Sequence, residues 1–445
     1  MKKRNLFYAL TAGIALFSAC NNNSDEFTPG DDSAAQQIVL QVASSGDGLT
    51  TRAGRPLYGE EAKQTIENVK VLICKAADGA IVYDKLIQNW NGDGATPYNQ
   101  NGHGRETVIE LTKKLDAGIY KVYGIGYSSD SKYKVETATL DVHLKGLTTN
   151  DVQIFKGDLK ITLEQNGQEL KDKAGEEIFA GSLDLTIEKG KGFKKPVVLH
   201  RQVAGTFGYF KEVPYIAEAA KLRLVAYNRN QDLVLGQFNP NVMAENGTTN
   251  NTAMFVVNGT NQISEDKHVI YEINLADWYK NGTQDIKDEN KDGLIDNTHW
   301  QVPSALQGKA KFKTGSFFGG NFVIPFAKGS SEEKTFVLEL TNNDGTSALR
   351  SWIVKLPEDD KQSSEHDLYT WNTSSFNTKK NTDNSTTYNV VRNHLYGIGK
   401  KTSDNPTDPD KEDPNKEDPE SLNNKQELIL QVNDNWEIIH KMELD

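Results

Sequence analysis

An all-β protein of sandwich or barrel type is predicted for this 445-residue chain, and three observations predict it. Short apolar/polar alternations are separated by Gly, Asn and Asp turns, while long helical periodicities are few. One strand pattern occurs near each end: residues 36–42 read QQIVLQV and residues 426–432 read QELILQV. Finally, of the two cysteines, Cys74 has only Cys20 as a conceivable partner, so stability has to come from packed layers and not from disulfides. The length suits two domains of ordinary size.

In chain order, residues 1–19 read as a lipoprotein signal peptide. Lys2, Lys3 and Arg4 form the basic start, and Leu6 to Phe17 form an apolar stretch too short to span a bilayer. The run Leu16-Phe17-Ser18-Ala19-Cys20 is similar to a lipobox, with Phe17 where Leu is more usual, so Cys20 is the expected lipidation site. A polar, acidic tether leads to the first QQIVLQV copy, whose alternate residues Ile38, Leu40 and Val42 define one buried face. The next segment, SSGDGLTTRAGRP at 44–56, is small, polar and Gly-rich, and reads as an exposed loop open to nicking. Within it Arg52 followed by Ala53 suits a trypsin-like or arginine-specific protease. Cleavage there would release residues 20–52, the first strand included. An ordinary flexible tether is the alternative reading.

A first group of strands is expected over 53–195. VKVLICKA and AIVYDKLI flank Asp78-Gly79 as a hairpin. ETVIEL, AGIYKVYGIGY, VETATLDVHL and LKITLEQ continue the series. A break at KGKGFKKP (189–196) places the domain boundary near residue 195. The second group, over 196–401, comprises PVVLHRQVAGTFGYF, AKLRLVAYN, KHVIYEINL, GNFVIPF, KTFVLELTN, ALRSWIVKL and TTYNVVRNHLYGIGK. AEAA at 217–220 is the one candidate for a helical turn in this stretch.

Residues 402–424 change character. Within 402–420 eight acids and two lysines give −6, half of the chain's formal −12, so acidity says little about the folded part. The segment carries a near-repeat, KEDP at 411–414 and again at 416–419. Pro-rich, like-charged sequence is expected to stay extended, reaching about 60 Å at about 3.1 Å per residue. The last segment, 425–445, is again amphipathic. Leu428, Leu430, Val432, Trp436, Ile438, Met442 and Leu444 share one face of a double-length strand. Such a strand can enter a neighbouring molecule or fold back on its own domain. The repeat itself, identical at four of seven positions, is either chance or a sign that two segments compete for one groove.

These features together resemble the fimbrillin family, the subunits of Bacteroides-type (type V) pili, and most of all its short-fimbria shaft subunits. The resemblance is carried by the lipobox at Cys20, Thr51-Arg52-Ala53, DAGIYKVYGI (116–125), EIFAGS (177–182), VVLHRQVA (197–204) and YNVVRNHLYGIG (388–399). The Asp-Pro linker and the terminal strand around Trp436 complete it. It implies two transthyretin-like β-sandwich domains plus an extended C-terminal donor strand. It also implies export as an outer-membrane lipoprotein, cleavage after Arg52 by an arginine-specific protease, and homopolymerisation into cell-surface fimbriae with accessory tip and anchor pilins. The competing reading is a monomeric surface lipoprotein that binds a glycan or a host ligand.

Other chemistry finds little footing. Asp288, Asn290, Asp292 and Asp296, with Gly293 at the turn, match the first half of an EF-type calcium loop, but position 12 is His299 and not Glu. Calcium or a plain acidic turn are both open at this point, and no other cofactor is expected. There is no phosphate loop, paired-Cys zinc spacing or nucleophile elbow, so a non-enzymatic role is expected. Positive charge is not clustered with aromatics, which argues against nucleic-acid binding.

Overall fold

A computed structural model describes residues 35–42, 66–90, 92–97, 105–135, 138–139, 159–163, 176–235, 259–307, 311–326, 336–355, 369–372, 375–380, 390, 392, 395–401, 417–423, 427–429 and 431–433. Its strands, in chain order, are β1 (Gln36–Val42), β2 (Asn68–Lys75), β3 (Ile81–Ile87), β4 (Thr96–Pro97), β5 (Arg105–Glu110), β6 (Gly118–Tyr127), β7 (Tyr133–Val135), β8 (Ala138–Thr139), β9 (Leu159–Leu163), β10 (Phe179–Ile187), β11 (Phe193–Arg201) and β12 (Ala204–Lys211). They continue as β13 (Lys221–Leu235), β14 (Gly259–Asn274), β15 (Phe317–Val323), β16 (Phe336–Thr341), β17 (Ala348–Lys355), β18 (Tyr369–Asn372), β19 (Ser375–Lys380), β20 (Leu395–Ile398), β21 (Glu420–Ser421), β22 (Glu427–Ile429) and β23 (Gln431–Asn433). Between β14 and β15 lie two 3₁₀ turns, at Leu275–Trp278 and Gly282–Asp285. The protein is nearly all β, as its alternating sequence predicts.

The first sheet runs β3-β2-β6-β10-β11-β1-β5-β4. It folds over at β10 and β11, which share only the pairs Phe179↔Arg201 and Ala180↔His200. The two halves then close on one core, in which Ile38, Leu40 and Val42 meet Val69, Val71, Ile73, Val122, Leu185, Val197 and Leu199. Where the halves join, backbone passes against backbone. A Cβ on Gly181 would lie 1.9 Å from the Val198 carbonyl oxygen, so only glycine fits. The β2–β3 hairpin turns at Asp78-Gly79, with Gly79 at φ 74° and the Asp78 carboxylate accepting from the Ala80 amide.

A second core lies between the β15-β12-β20-β23 sheet and the long sheet β22-β17-β16-β13-β9-β7-β8, to which β14 adds on β13. Tyr209, Phe210, Leu222, Leu224, Leu338, Leu340, Trp352, Tyr396 and Ile398 fill it. A third cluster joins the two bodies. Leu72, Cys74, Tyr123 and Ile125, on the outer face of β2 and β6, pack with Tyr133, Ile161, Leu233 and Ile324. Strands β2 and β6 are therefore buried on both faces, which is why VKVLIC and VYGIGY alternate poorly.

Three expectations change here. The boundary at residue 195 falls inside β11, which belongs to the first core through Phe193, Val197 and Leu199, and the passage to the second core comes at Gln202-Val203. Strands β7 and β9, placed by sequence in the first domain, extend the long sheet of the second by pairing with each other and with β13. AEAA makes a single hydrogen-bonded turn, the Ala219 amide donating to the Ile216 carbonyl at 2.8 Å, without continuing as a helix; Ala219 and Ala220 are buried, and the Thr341 carbonyl accepts from the Ala220 amide at 2.8 Å. The end of the acidic linker is docked and not extended: β21 pairs with β12, and Leu422 is fully buried in the second core.

Replacing Gly181 by Ala is expected to destabilise the fold by about 2 kcal/mol or more, because neither backbone at the β10–β11 fold can retreat. Chemical denaturation followed by tryptophan fluorescence checks this; a midpoint unchanged within error would mean that the two halves are not held this closely.

Candidate functional site

The site is the seat occupied by β1. Seven residues of β1 run parallel to β11, from Gln36↔Phe193 to Val42↔Leu199, and six run antiparallel to β5, from Gln37↔Glu110 to Val42↔Arg105. The predicted buried face is buried without remainder: Ile38, Leu40 and Val42 are each 0% exposed. Polar anchors fix the register at both ends. The Gln36 side-chain amide donates to the Leu115 carbonyl at 3.0 Å and accepts from the Leu115 amide at 2.8 Å. The Gln41 amide donates to Glu106 Oε2 at 3.0 Å. Under the seat, the Arg105 guanidinium donates to the Trp90 and Gly92 carbonyls at 2.9 and 2.6 Å, and burial lowers its pKa.

The four positions shared with the terminal repeat are Gln36/Gln426, Leu40/Leu430, Gln41/Gln431 and Val42/Val432. In the β1 seat these are the two polar anchors and two of the fully buried apolar side chains. The three positions that differ are conservative for the same seat. Ile38 becomes Leu428 and Val39 becomes Ile429, both apolar, while half-buried Gln37 becomes Glu427.

The terminal copy itself is split over two sheet edges of its own chain. β22 pairs parallel to β17 over Ile353↔Glu427 to Lys355↔Ile429, and β23 pairs antiparallel to β20 over Leu395↔Asn433 to Gly397↔Gln431. Leu428 is 1% exposed inside the second core. This departs from a strand with no packing at home, and agrees with the fold-back alternative for these residues. Val432 is placed by its backbone opposite Tyr396. Cys20, Arg52, Ala53, Leu430, Trp436, Ile438, Met442 and Leu444 lie outside the described residues.

The EF-like loop is described in full and is tied internally. Asp288 accepts from the Asp292 and Gly293 amides, each at 3.0 Å, Asp292 from the Leu294 amide at 2.8 Å, and Asp296 from the Glu289 amide at 2.6 Å. Ile295 plugs the loop onto its body, its amide donating to the Val213 carbonyl at 2.9 Å. Among the described residues no group of three or more His, Cys, Asp or Glu side chains is arranged to hold a metal ion.

A polar cluster that sequence reasoning missed lies where the chain passes between cores. Arg201 Nε and Nη2 reach Glu177 Oε1 at 2.8 and 2.7 Å, both side chains being 1% exposed. The guanidinium also sits 4.9 Å from the centre of the Phe179 ring. Next to it the Gln202 amide donates to the His200 carbonyl at 2.8 Å and accepts from Arg392 Nη1 at 2.9 Å. Glu177, Arg201 and Arg392 come from EIFAGS, VVLHRQVA and YNVVRNHLYGIG, three runs that carry the family resemblance, so those runs meet at one structural joint. Cys74 is an inert core thiol, its pKa pushed up to about 12 by burial.

Arg201→Met is expected to cost about 3–5 kcal/mol, since it strands a buried Glu177, while Arg201→Met with Glu177→Leu should recover most of the loss; urea midpoints of the three proteins decide. Calcium is expected to raise the melting temperature little, and Asp288→Ala with Asp292→Ala to leave its response unchanged. A rise of many degrees that the double variant abolishes would assign the loop as a calcium site.

No family model matches the chain, and no curated protein is significantly similar to it in sequence. Solved structures overlap with it at low identity. The fimbrial anchor protein Mfa2 of Porphyromonas gingivalis is 10% identical over 72% of this chain and 82% of its own, with a TM-score of 0.32. The tip fimbrial protein Mfa3 of the same organism, truncated at its C-terminus, is 9% identical over 82% and 94%, with a TM-score of 0.36. A candidate adhesin of Bacteroides thetaiotaomicron is 8% identical over 90% and 97%, with a TM-score of 0.39.

Proposed function

We propose that this chain is a structural pilin subunit of two transthyretin-like domains, not an enzyme. It is exported as an outer-membrane lipoprotein through Cys20, cleaved after Arg52, and polymerised through its last strand into cell-surface fimbriae used in adhesion. The observation that carries this reading is the match between repeat and seat: the residues identical in 36–42 and 426–432 include both glutamine anchors of the β1 seat and two of its three fully buried side chains. Chance similarity between two β-strands would preserve alternation, but has no reason to preserve both glutamine anchors.

The mechanism rests on the seat. Cutting after Arg52 would detach β1 from the body, since the strand precedes the cut. Its loss would open a seam between β5 and β11, leaving two rows of backbone groups unpaired and Ile109, Val197 and Leu199 uncovered. A terminal strand from an identical subunit would restore ladder, anchors and core together, by β-strand addition. Identical subunits, tip and anchor pilins and an arginine-specific protease are the partners this reading requires.

One observation favours the monomeric alternative, a surface lipoprotein that binds a glycan or host ligand: Leu428 is already buried in its own chain's core. The two readings part on processing and exchange. Subunits taken from the cell surface are expected to begin at Ala53, and Arg52→Ala to leave a folded but unpolymerised precursor; a surface chain that still begins at Cys20 would refute the pilin reading. A protein lacking residues 1–52 should gain several degrees of thermal stability from a synthetic peptide of residues 426–433. Gln431→Glu in that peptide should weaken the gain, because it sets a carboxylate against Glu106. Equal stabilisation by the two peptides would separate the repeat from the seat.

A further inference from the structure

The near-repeat KEDP at 411–414 and 416–419 reads as interchangeable linker, yet its second copy is held in a built pocket. Lys401 Nζ lies 2.7 Å from Glu417 Oε1, with the two side chains 2% and 0% exposed. The same ammonium donates to the Lys311 carbonyl at 2.8 Å and stands 4.7 Å from the centre of the Phe312 ring and 5.6 Å from that of Tyr209. Lys313 Nζ donates to the Glu417 carbonyl. Backbone bonds close the grip: the Lys400 amide to the Asp418 carbonyl at 2.7 Å, and the Asp418 amide back at 2.8 Å. Gly399, at φ 77°, leaves room for the strand, since a Cβ there would meet the Tyr209 carbonyl oxygen at 2.4 Å and the Glu420 amide at 2.9 Å.

The residues downstream of each copy select the second over the first. Three residues after Pro419 comes Leu422, fully buried in the second core, its amide bonded to the Lys211 carbonyl at 3.0 Å. Three residues after Pro414 comes Glu417. Seating the first copy would thus bring a carboxylate to the place of a buried leucine, which its desolvation forbids.

We propose that this clasp is the fixed point from which the last strand departs: residues 417–422 stay on their own subunit, and only the chain beyond Asn423 passes to a neighbour. The inference deepens the pilin reading above and rests on it. Because Lys401 and Glu417 are held together, the length of chain between them adds nothing to reach. Between Asn423 and Gln426, the first residue of the exchanged copy, lie two residues, a span of roughly 10 Å when extended. Exchange is then confined to a subunit in direct contact, and the junction is short.

The clasp is read on the full chain by native-state amide exchange, whether or not fibres form. The Asp418 and Leu422 amides should exchange at least about tenfold more slowly than those of 427–433, and open separately from them. Joint opening of both segments would overturn the proposal. Lys401→Met, which leaves Glu417 buried without its cation, should speed exchange at Asp418 and Leu422 on the order of a hundredfold, and Lys401→Met with Glu417→Leu should reverse most of that. The double variant also guards against a single variant that fails to fold. In fibres, a Gly/Ser insertion within 402–416 should leave the subunit repeat unchanged in electron micrographs, while the same insertion after Asn423 lengthens or abolishes it. A repeat lengthened by the first insertion would overturn the clasp. Absence of fibres from the unmodified, processed chain would refute the pilin reading and leave the exchange rates to decide the clasp.

Discussion

Everything in the first body depends on β1 lying inside its layer and not at an edge. A strand with neighbours on both sides satisfies backbone groups on β5 and β11 as well as its own. Three fully buried side chains from one short strand also reach the centre of the core. The fold thus requires an occupant in this seat. It does not require that the occupant be joined to the body by the same chain, since the contacts are between side chains, ladder and core alone. Residues 44–56, which connect strand to body, are written in small and polar residues that contribute no apolar face.

The two bodies meet through an apolar cluster, and a buried ion pair marks the place where the chain leaves each core. Glu177–Arg201 sits where the chain leaves the first core, and Lys401–Glu417 where it leaves the second. Buried ion pairs contribute little net stability against apolar replacements, but losing one partner is costly. Their value here is placement. Each pair accepts a single geometry, supported by an aromatic ring beside the cation, Phe179 in one and Phe312 in the other. If the chain exchanges strands as proposed, that is what its fixed points would need, because whatever moves must move against something that does not.

Strand positions were legible because alternation reports burial directly: Ile38, Leu40 and Val42 were readable as one face, and the β2–β3 hairpin announced itself through Asp78-Gly79. The EF-like pattern was legible as a loop, although what its carboxylates hold is their own backbone amides. The break inside PVVLHRQVAGTFGYF was not legible, because the corner at Gln202 uses neither Gly nor Pro; a side-chain amide on the His200 carbonyl takes their place. Nor was the crossing of β7 and β9 to the other sheet, since sequence order carries no record of which edge a strand joins. The docked end of the linker was hidden by composition. Eight acids in 402–420 outweighed Leu422, and the two KEDP copies are themselves identical, told apart chiefly by the residues that come after them.

On the proposed pilin reading the last strand would have two seats, and their comparison would set the direction of exchange. At home its two short pieces each pair along one side, over three residues apiece. In the β1 seat an equivalent strand pairs on both sides, over seven and six residues. Each added ladder bond is worth about 1 kcal/mol net, so the second seat is the deeper one even where apolar burial is equal. The home seat still has a use. It covers Leu428 and occupies two sheet edges that would otherwise invite indiscriminate pairing. A precursor whose β1 is in place offers the strand nowhere better to go. On that reading, removal of β1 would reverse the order without altering a residue of the strand. On the proposed pilin reading, control of assembly would lie in one peptide bond at Arg52, and the terminal strand would need no switch of its own.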